Sequence, residues 1–276
     1  MDHTTGTFAG LRNLEIFYQC WRPAAQPRAV LVIVHGLAEH SGRYQHVAEY
    51  FVERGYAVYA LDHRGHGRSE GERAYVDRFG DLVTDLGTFV ELVRQQEPEC
   101  GVFLIGHSMG GTIAALFAEE HGDVLRGLIL SGAFMRPAGG VSPALMLLSK
   151  LLSAVAPKLG VTPLEAASVS RDPQVVARYD ADPLNYRGRV RARMGTELLQ
   201  AGHTVLANLH KIAVSILIMH GGADQLADPE GSRQVYEGVS STDKTLKVYD
   251  GLYHEIFNEP EKAQVLADVA GWLEKR

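Results

Sequence analysis

Five short apolar runs constrain the fold more than any other feature of this chain. They are AVLVIVH (29–35), YAVYALD (56–62), VFLIG (102–106), RGLILSG (126–132) and SILIMH (215–220), rich in Val, Ile and Leu without alternation. A strand with one wet face alternates, so these runs read as strands covered on both faces. Helical periodicity fills the intervals, in YQHVAEYFVERG, VDRFGDLVTDLGTFVELVRQQ, GGTIAALFAEEHG and the C-terminal EKAQVLADVAGWLEKR. Such alternation implies an α/β fold with a mostly parallel, doubly wound sheet. LEIFYQCW (14–21) alternates better and is expected to open the sheet as an antiparallel edge, with TLKVYD (245–250) as the last strand. At 276 residues and 46% hydrophobic, the chain has material for one large domain or two small ones.

One stretch breaks the rhythm. From about Ala133 to about Arg191 no strand is expected; SPALMLLSKLLSAVAPKLG is followed by a polar segment with DPQ and DPL turns. Ser142 before Pro143 is a good helix start, because the hydroxyl accepts an orphan N–H and Pro lacks one. Ser149, Lys150, Ser153 and Pro157 make only a narrow polar stripe, and Ala144, Leu145, Leu147, Leu148, Leu151, Leu152 and Val155 form a wide apolar face. An insertion between two strands, apolar on its inner side, reads as a cap over the carboxyl ends of the strands, where open α/β sheets bind ligands. The expected division is a core of 1–133 and 192–276 with a helical cap of 134–191.

Composition removes several function classes. The net charge is −6 and no basic block occurs, so a nucleic-acid partner is not expected. Cys20 and Cys100, far apart, define neither a disulfide framework nor a zinc site. No secretory signal or membrane-length apolar span is evident, and a cytoplasmic protein is expected. Nothing in the pattern specifies an oligomer.

The string G-x-S-x-G occurs twice, as GRSEG (67–71) and GHSMG (106–110). Ser108 follows the apolar run VFLIG directly and precedes a helical pattern directly, so it occupies a strand-to-helix turn. That setting lifts a serine Oγ out of a strained turn, provided small residues flank it, as Gly106 and Gly110 do. Ser69 lies in the polar loop DHRGHGRSEGERAY, where a hydroxyl satisfies local backbone. Ser108 is therefore the candidate nucleophile.

A serine needs a base, and the base an orienting acid. In folds built on such an elbow the chain order is Ser, acid, His. Of the histidines after position 203, His210 belongs to a helical stretch and His220 ends a strand. His254, between the last strand and the last helix, is the candidate base. For the acid, Asp228 precedes Pro229 as a helix N-cap would, whereas Asp224 follows SILIMH by four residues, so Asp224 is the candidate. The loop after AVLVIVH supplies one oxyanion N–H and the residue after the nucleophile the other, which are Leu37 and Met109. His35 comes too early in the order and is expected to hold its loop.

HGLAEHSGRY (35–44), LDHRGHGRSEG (61–71), GHSMGG (106–111), HGGADQLADPEGS (220–232) and YDGLYHEIFNEPE (249–261) together resemble the monoacylglycerol lipases. These are a branch of the α/β-hydrolases that also carries lysophospholipase and serine-aminopeptidase-like labels. SRDPQVVARYDADPLNYRGRV (170–190) is similar to the lid of that family, and the likeness runs almost the full length. Ala38 departs from it, standing where many members have a second Gly.

The resemblance implies hydrolysis of a monoacylglycerol ester to glycerol and fatty acid, without metal or cofactor. It also implies that Glu39, Arg43 and Tyr179 lie near the glycerol end of the site. The residues alone leave another reading open, with Glu39 and Arg43 as a loop ion pair and Tyr179 packed beneath the cap. Alternative activities are a lysophospholipase or broad carboxylesterase, then an aminopeptidase, then a non-catalytic lipid-binding protein. The apolar excess of the cap suggests transient contact with membranes or micelles.

Overall fold

The structure, a computed structural model, describes residues 1–276 except for the side chain of Pro143. The strands are β1 (Asp2–Ala9), β2 (Glu15–Arg22), β3 (Val30–Val34), β4 (Ala57–Leu61), β5 (Val102–His107), β6 (Gly127–Ser131), β7 (Gly160–Thr162), β8 (Val190–Arg191), β9 (Ile216–Gly221) and β10 (Lys244–Tyr249). Eight of them form one sheet in the order β1-β2-β4-β3-β5-β6-β9-β10. Pairing is parallel from β4 to β10 and antiparallel at β1–β2 and β2–β4.

The helices are α1 (Gln45–Val52), α2 (Gly80–Gln96), α3 (Met109–His121), α4 (Pro143–Val155), α5 (Pro173–Ala181), α6 (Ala192–Asn208), α7 (Pro229–Gly238) and α8 (Lys262–Leu273). Along β3, Val30, Val32 and Val34 join one apolar cluster with residues of α2, α3 and α6. Leu31 and Ile33 join a second cluster with residues of α1 and α8. Helices thus cover both faces, which is why the central strands do not alternate. Truncating a fully buried side chain such as Leu104 to Ala would cost about 2–5 kcal/mol.

Three expectations need correction. LEIFYQCW forms β2, but the sheet's edge is β1, paired with it from Asp2↔Arg22 to Ala9↔Glu15. Only Phe8 of β1 is buried, so an edge strand wet on both sides left no apolar signal. The segment 134–191 contains the short antiparallel pair β7–β8. The sequence DPQ begins a helix and not a turn, because the Asp172 side chain accepts from the Gln174 N–H at 2.8 Å and caps α5.

The apolar face of α4 is divided between the cavity and the outer surface. Ser142 caps it, accepting from the Leu145 N–H at 3.3 Å. Its inner side, against α6, carries the small polar residues: Ser153 is buried, and the carbonyls of Ser149 and Ser153 accept from Thr196 Oγ1 and Arg193 Nη2. Leu145, Leu148 and Leu152 line the cavity beneath the helix, whereas Leu147, Leu151 and Val155 turn outward. Leu147 and Val155 are 71% and 70% exposed.

Candidate active site

β5 ends at His107 and α3 begins at Met109, leaving Ser108 alone between them with φ 53° and ψ −121°. A positive φ is strained for a residue with a Cβ and persists only where the surroundings impose it. They do so here. A Cβ on Gly106 would lie 2.6 Å from the Gly110 carbonyl, and one on Gly110 would collide with that of Val34. The Ser108 N–H donates to the Ser131 carbonyl at 3.1 Å, and its own carbonyl accepts from the Phe134 N–H at 3.0 Å. Ser69, by contrast, spends its hydroxyl on backbone, donating to the Asp62 carbonyl at 2.6 Å and accepting from the Phe17 N–H at 2.8 Å.

Asp224, on the loop after β9, meets His254, on the loop after β10. Asp224 Oδ2 lies 2.6 Å from His254 Nδ1 and 3.0 Å from His220 Nε2. Its Oδ1 accepts from the N–H groups of Leu226 and Ala227 at 2.8 and 3.0 Å. Burial pushes this carboxyl's pKa up, but His254 and His220 outweigh it and hold it well below the usual carboxylate range. For His254, burial favours the neutral imidazole, and Asp224 more than offsets this, leaving the pKa raised. Asp228 instead caps α7, accepting from the Glu230 N–H at 2.9 Å.

Leu37 and Met109 are placed differently. Met109 is the first residue of α3, so its N–H has no intrahelical acceptor, and its side chain is fully buried. Leu37 lines the cavity described below. Its loop is held by the His35 ring, with Nδ1 2.7 Å from the Gly36 carbonyl and Nε2 accepting from the His63 N–H at 2.9 Å. Ala38 has φ 67°, a left-handed conformation that glycine adopts without strain, so its methyl is carried at a conformational cost. The Ala38 carbonyl accepts from the Tyr186 N–H at 3.0 Å, which anchors the loop from the inserted segment.

Glu39, Arg43 and Tyr179 come together as an internal cluster. Glu39 Oε1 accepts from the Gly36 N–H at 2.6 Å and the Tyr44 hydroxyl at 2.8 Å, and Oε2 accepts from Arg43 Nη1 at 2.8 Å. The Arg43 guanidinium also lies 4.7 Å from the centre of the Tyr179 ring. Glu39 and Tyr179 reach the cavity wall, whereas Arg43 does not line it. Two further residues join this end of the site. Glu255 follows His254 and takes both terminal nitrogens of Arg43 at 2.6 Å. His107, its ring 4.7 Å from that of His254, is buried and neutral, with a pKa pushed down to about 4 by burial and then by His254. Sequence reasoning passed over both, since neither lies in a motif that demands it.

The cavity has a volume of about 360 Å³. Ser108, His254 and Leu37 line it, and Leu148, Leu152 and Val161 of the inserted segment with Leu198 of α6 give it apolar walls. Asp224 lies behind His254, off the wall. Among the described residues no group of three or more His, Cys, Asp or Glu side chains could hold a metal, and no helix is long and apolar enough to cross a membrane.

A serine raised between β5 and α3, with an Asp–His pair on the loops after β9 and β10, defines the α/β-hydrolase class. Residues 25–261 match the family described as "Serine aminopeptidase, S33". A monoacylglycerol lipase of Mycolicibacterium smegmatis is 42% identical over 97% of this chain and 95% of its own length. The human monoglyceride lipase is 36% identical over 95% of this chain and 87% of its own. The crystal structure of the Paleococcus ferrophilus monoacylglycerol lipase superposes with a TM-score of 0.83 at 30% identity, covering 99% of this chain and 98% of that one. The chain belongs to the monoacylglycerol lipase family.

Proposed function

We propose that this chain is a carboxylic ester hydrolase that cleaves monoacylglycerols to glycerol and free fatty acid through an acyl-enzyme on Ser108. In this reading, residues 134–191 act as the cap over a core of 1–133 and 192–276, and the acyl chain occupies the apolar cavity between them. His254 takes the Ser108 proton as Oγ attacks the ester carbonyl, and Asp224 orients and stabilises the imidazolium. The N–H groups of Leu37 and Met109 bind the oxyanion, a contribution for which losing one donor typically costs about 10² to 10³ in rate. His254 then returns the proton to the departing glycerol, and water, activated by the same histidine, releases the fatty acid. No step calls for a metal or cofactor.

The observation that carries the reading is one cavity lined by both Ser108 and His254 and otherwise walled mainly by apolar side chains. The test is fluorophosphonate labelling with purified protein, followed by turnover of mono-, di- and triacylglycerols, a lysophospholipid and an aminoacyl amide. Labelling at Ser108 with monoacylglycerol as the best substrate is expected. A preferred lysophospholipid would move the chain to that alternative, and an unlabelled Ser108 would leave a binding protein.

Three of the four acids of the cap are engaged elsewhere, which weighs against an aminopeptidase, and of the four only Glu165 lines the cavity. Asp172 caps α5, Asp180 pairs with Arg187 and Asp182 with His40. The outward leucines of α4 support a second element of the proposal, transient docking on the lipid surface where such a substrate resides. Failure to co-sediment with liposomes counts against it.

A further inference from the structure

The loop that carries His254 carries a second buried acid immediately after it. Glu255 is 5% exposed, and each of its carboxylate oxygens accepts from one terminal nitrogen of Arg43 at 2.6 Å. Asn258 Nδ2 donates to the same carboxylate at 2.9 Å, and the Glu255 N–H donates to the Val169 carbonyl at 2.8 Å. Arg43 continues to Glu39, and Glu39 to the N–H of Gly36. An unbroken path therefore runs from His254 through Glu255, Arg43 and Glu39 to the residue before Leu37. It joins two loops separated by 212 residues in the chain.

The charges on this path do not cancel. One guanidinium faces two buried carboxylates, so a net negative charge remains beside the imidazole. The charged and titratable groups that face His254 are Asp224 on the loop after β9, with His220 behind it, Glu39 on the loop after β3, His107 at the end of β5 and Glu255 itself, and Arg43 and Tyr179 pack against that set. Burial pushes the Glu255 carboxyl up and Arg43 more than offsets this, leaving its pKa below the usual range and the group ionised. A buried ion pair adds little net stability over an apolar pair of similar volume. Stability alone thus gives no reason to bury three charges here. An imidazolium forming one residue away does give one, since a fixed negative charge in a dry site stabilises it without reorganisation.

We propose that Glu255 is a positioning residue for acyl transfer: clamped by Arg43, it ties the histidine loop to the oxyanion loop and holds a second fixed negative charge toward the imidazolium of His254. The proposal rests on the reading that Ser108 and His254 carry the reaction. It also gives Arg43 a different task from glycerol binding, consistent with its position off the cavity wall.

The test uses a short-chain nitrophenyl ester, which has no glycerol, and follows kcat/KM against pH. E255Q keeps the shape and removes the charge, so the acid limb should move to lower pH by about one unit, with kcat about tenfold lower. R43M removes the opposite charge and should move the limb to higher pH, and E255Q/R43M should return it close to wild type. A purely structural tie would lower activity in all three without shifts of opposite sign. Because R43M leaves two buried acids and is the variant most at risk of misfolding, the second readout needs only wild type and E255Q. The downfield Nδ1–H proton resonance of His254 should titrate at lower pH in E255Q. A limb and a resonance that titrate at the wild-type pH in E255Q overturn the proposal. A wild-type chain that neither turns over ester nor takes a fluorophosphonate defeats the functional reading instead, and the resonance comparison still decides the charge effect of Glu255.

Discussion

Ser108 and Ser69 occupy the same five-residue string and do opposite things with it. Ser69 sits in a loop where its hydroxyl both donates to and accepts from backbone, so its chemistry is consumed locally. Ser108 is held at φ 53° by two glycines that cannot tolerate a Cβ, and its side chain faces a cavity. The string is indifferent to this, and the backbone on either side decides it. The largest expected effect tests that contrast. Ser108→Ala should reduce kcat for a nitrophenyl ester by about 10⁶, the scale seen when a hydrolase loses its nucleophile. Ser69→Ala should leave turnover near wild type while lowering unfolding free energy by about 1–3 kcal/mol in urea, because a backbone N–H and a carbonyl lose their partner. Comparable loss of turnover in both variants would end the distinction.

The two aspartates of GGADQLADPEG repeat the pattern one step down in size. Asp224 sits between two histidines, and Asp228 caps α7. Asp224→Asn should cost about 10⁴ in kcat, since the amide cannot hold the imidazole in the working tautomer. Asp228→Ala should cost about 1 kcal/mol of stability through the lost cap, with kcat unchanged. Stopped assays of both variants, alongside urea melts, settle which aspartate belongs to the site.

Histidines extend the comparison to pH. His254 is charged more easily than a free imidazole, whereas burial pushes His63 to about 3 and His66 and His107 to about 4. These three are neutral in the fold and take protons readily once unfolded. The unfolded chain therefore gains protons first as pH falls through 6.5, and stability drops until the folded values are reached. Each tenfold difference in proton affinity is worth about 1.4 kcal/mol, so the three together should remove several kcal/mol between pH 6.5 and 4. Urea unfolding measured across that range should show the decline, and a flat profile would mean that these rings are not held neutral.

What the sequence made legible follows from how each feature is encoded. β3, β4, β5, β6 and β9 were readable because burial on both faces writes a run of Val, Ile and Leu. The turn at Ser108 was readable because close approach demands glycine at fixed offsets. β1 was not, since an edge strand exposed along its length needs no apolar residue. Glu255 with Arg43 was not, because a pairing across 212 residues leaves no local trace. The facing of α4 is only partly legible for a related reason. Periodicity gives the width of an apolar face and not how it is shared out: here Ser153 packs inward, Leu145, Leu148 and Leu152 line the cavity, and Leu147, Leu151 and Val155 face out.

That division sets up the finest contrast, between leucines that build and leucines that wait. Leu104 in β5 is fully buried between helices, while Leu147 and Leu151 of α4 are 71% and 57% exposed. Removing Leu104 should destabilise the chain, and removing the outward pair should not, because water already reaches them. If α4 meets a lipid surface, those two side chains are what it inserts. Each fully buried leucine contributes about 1.5–3 kcal/mol, and shallow insertion realises a part of that. Leu147→Ser with Leu151→Ser should therefore weaken liposome association about tenfold, measured by co-sedimentation, with turnover of a soluble short-chain ester unchanged. Hydrolysis of monoacylglycerol presented in vesicles should fall in step with binding. If vesicle hydrolysis falls while binding holds, the leucines guide substrate into the cavity and do not anchor the protein. If neither changes, the exposed face of α4 has no part in reaching the lipid.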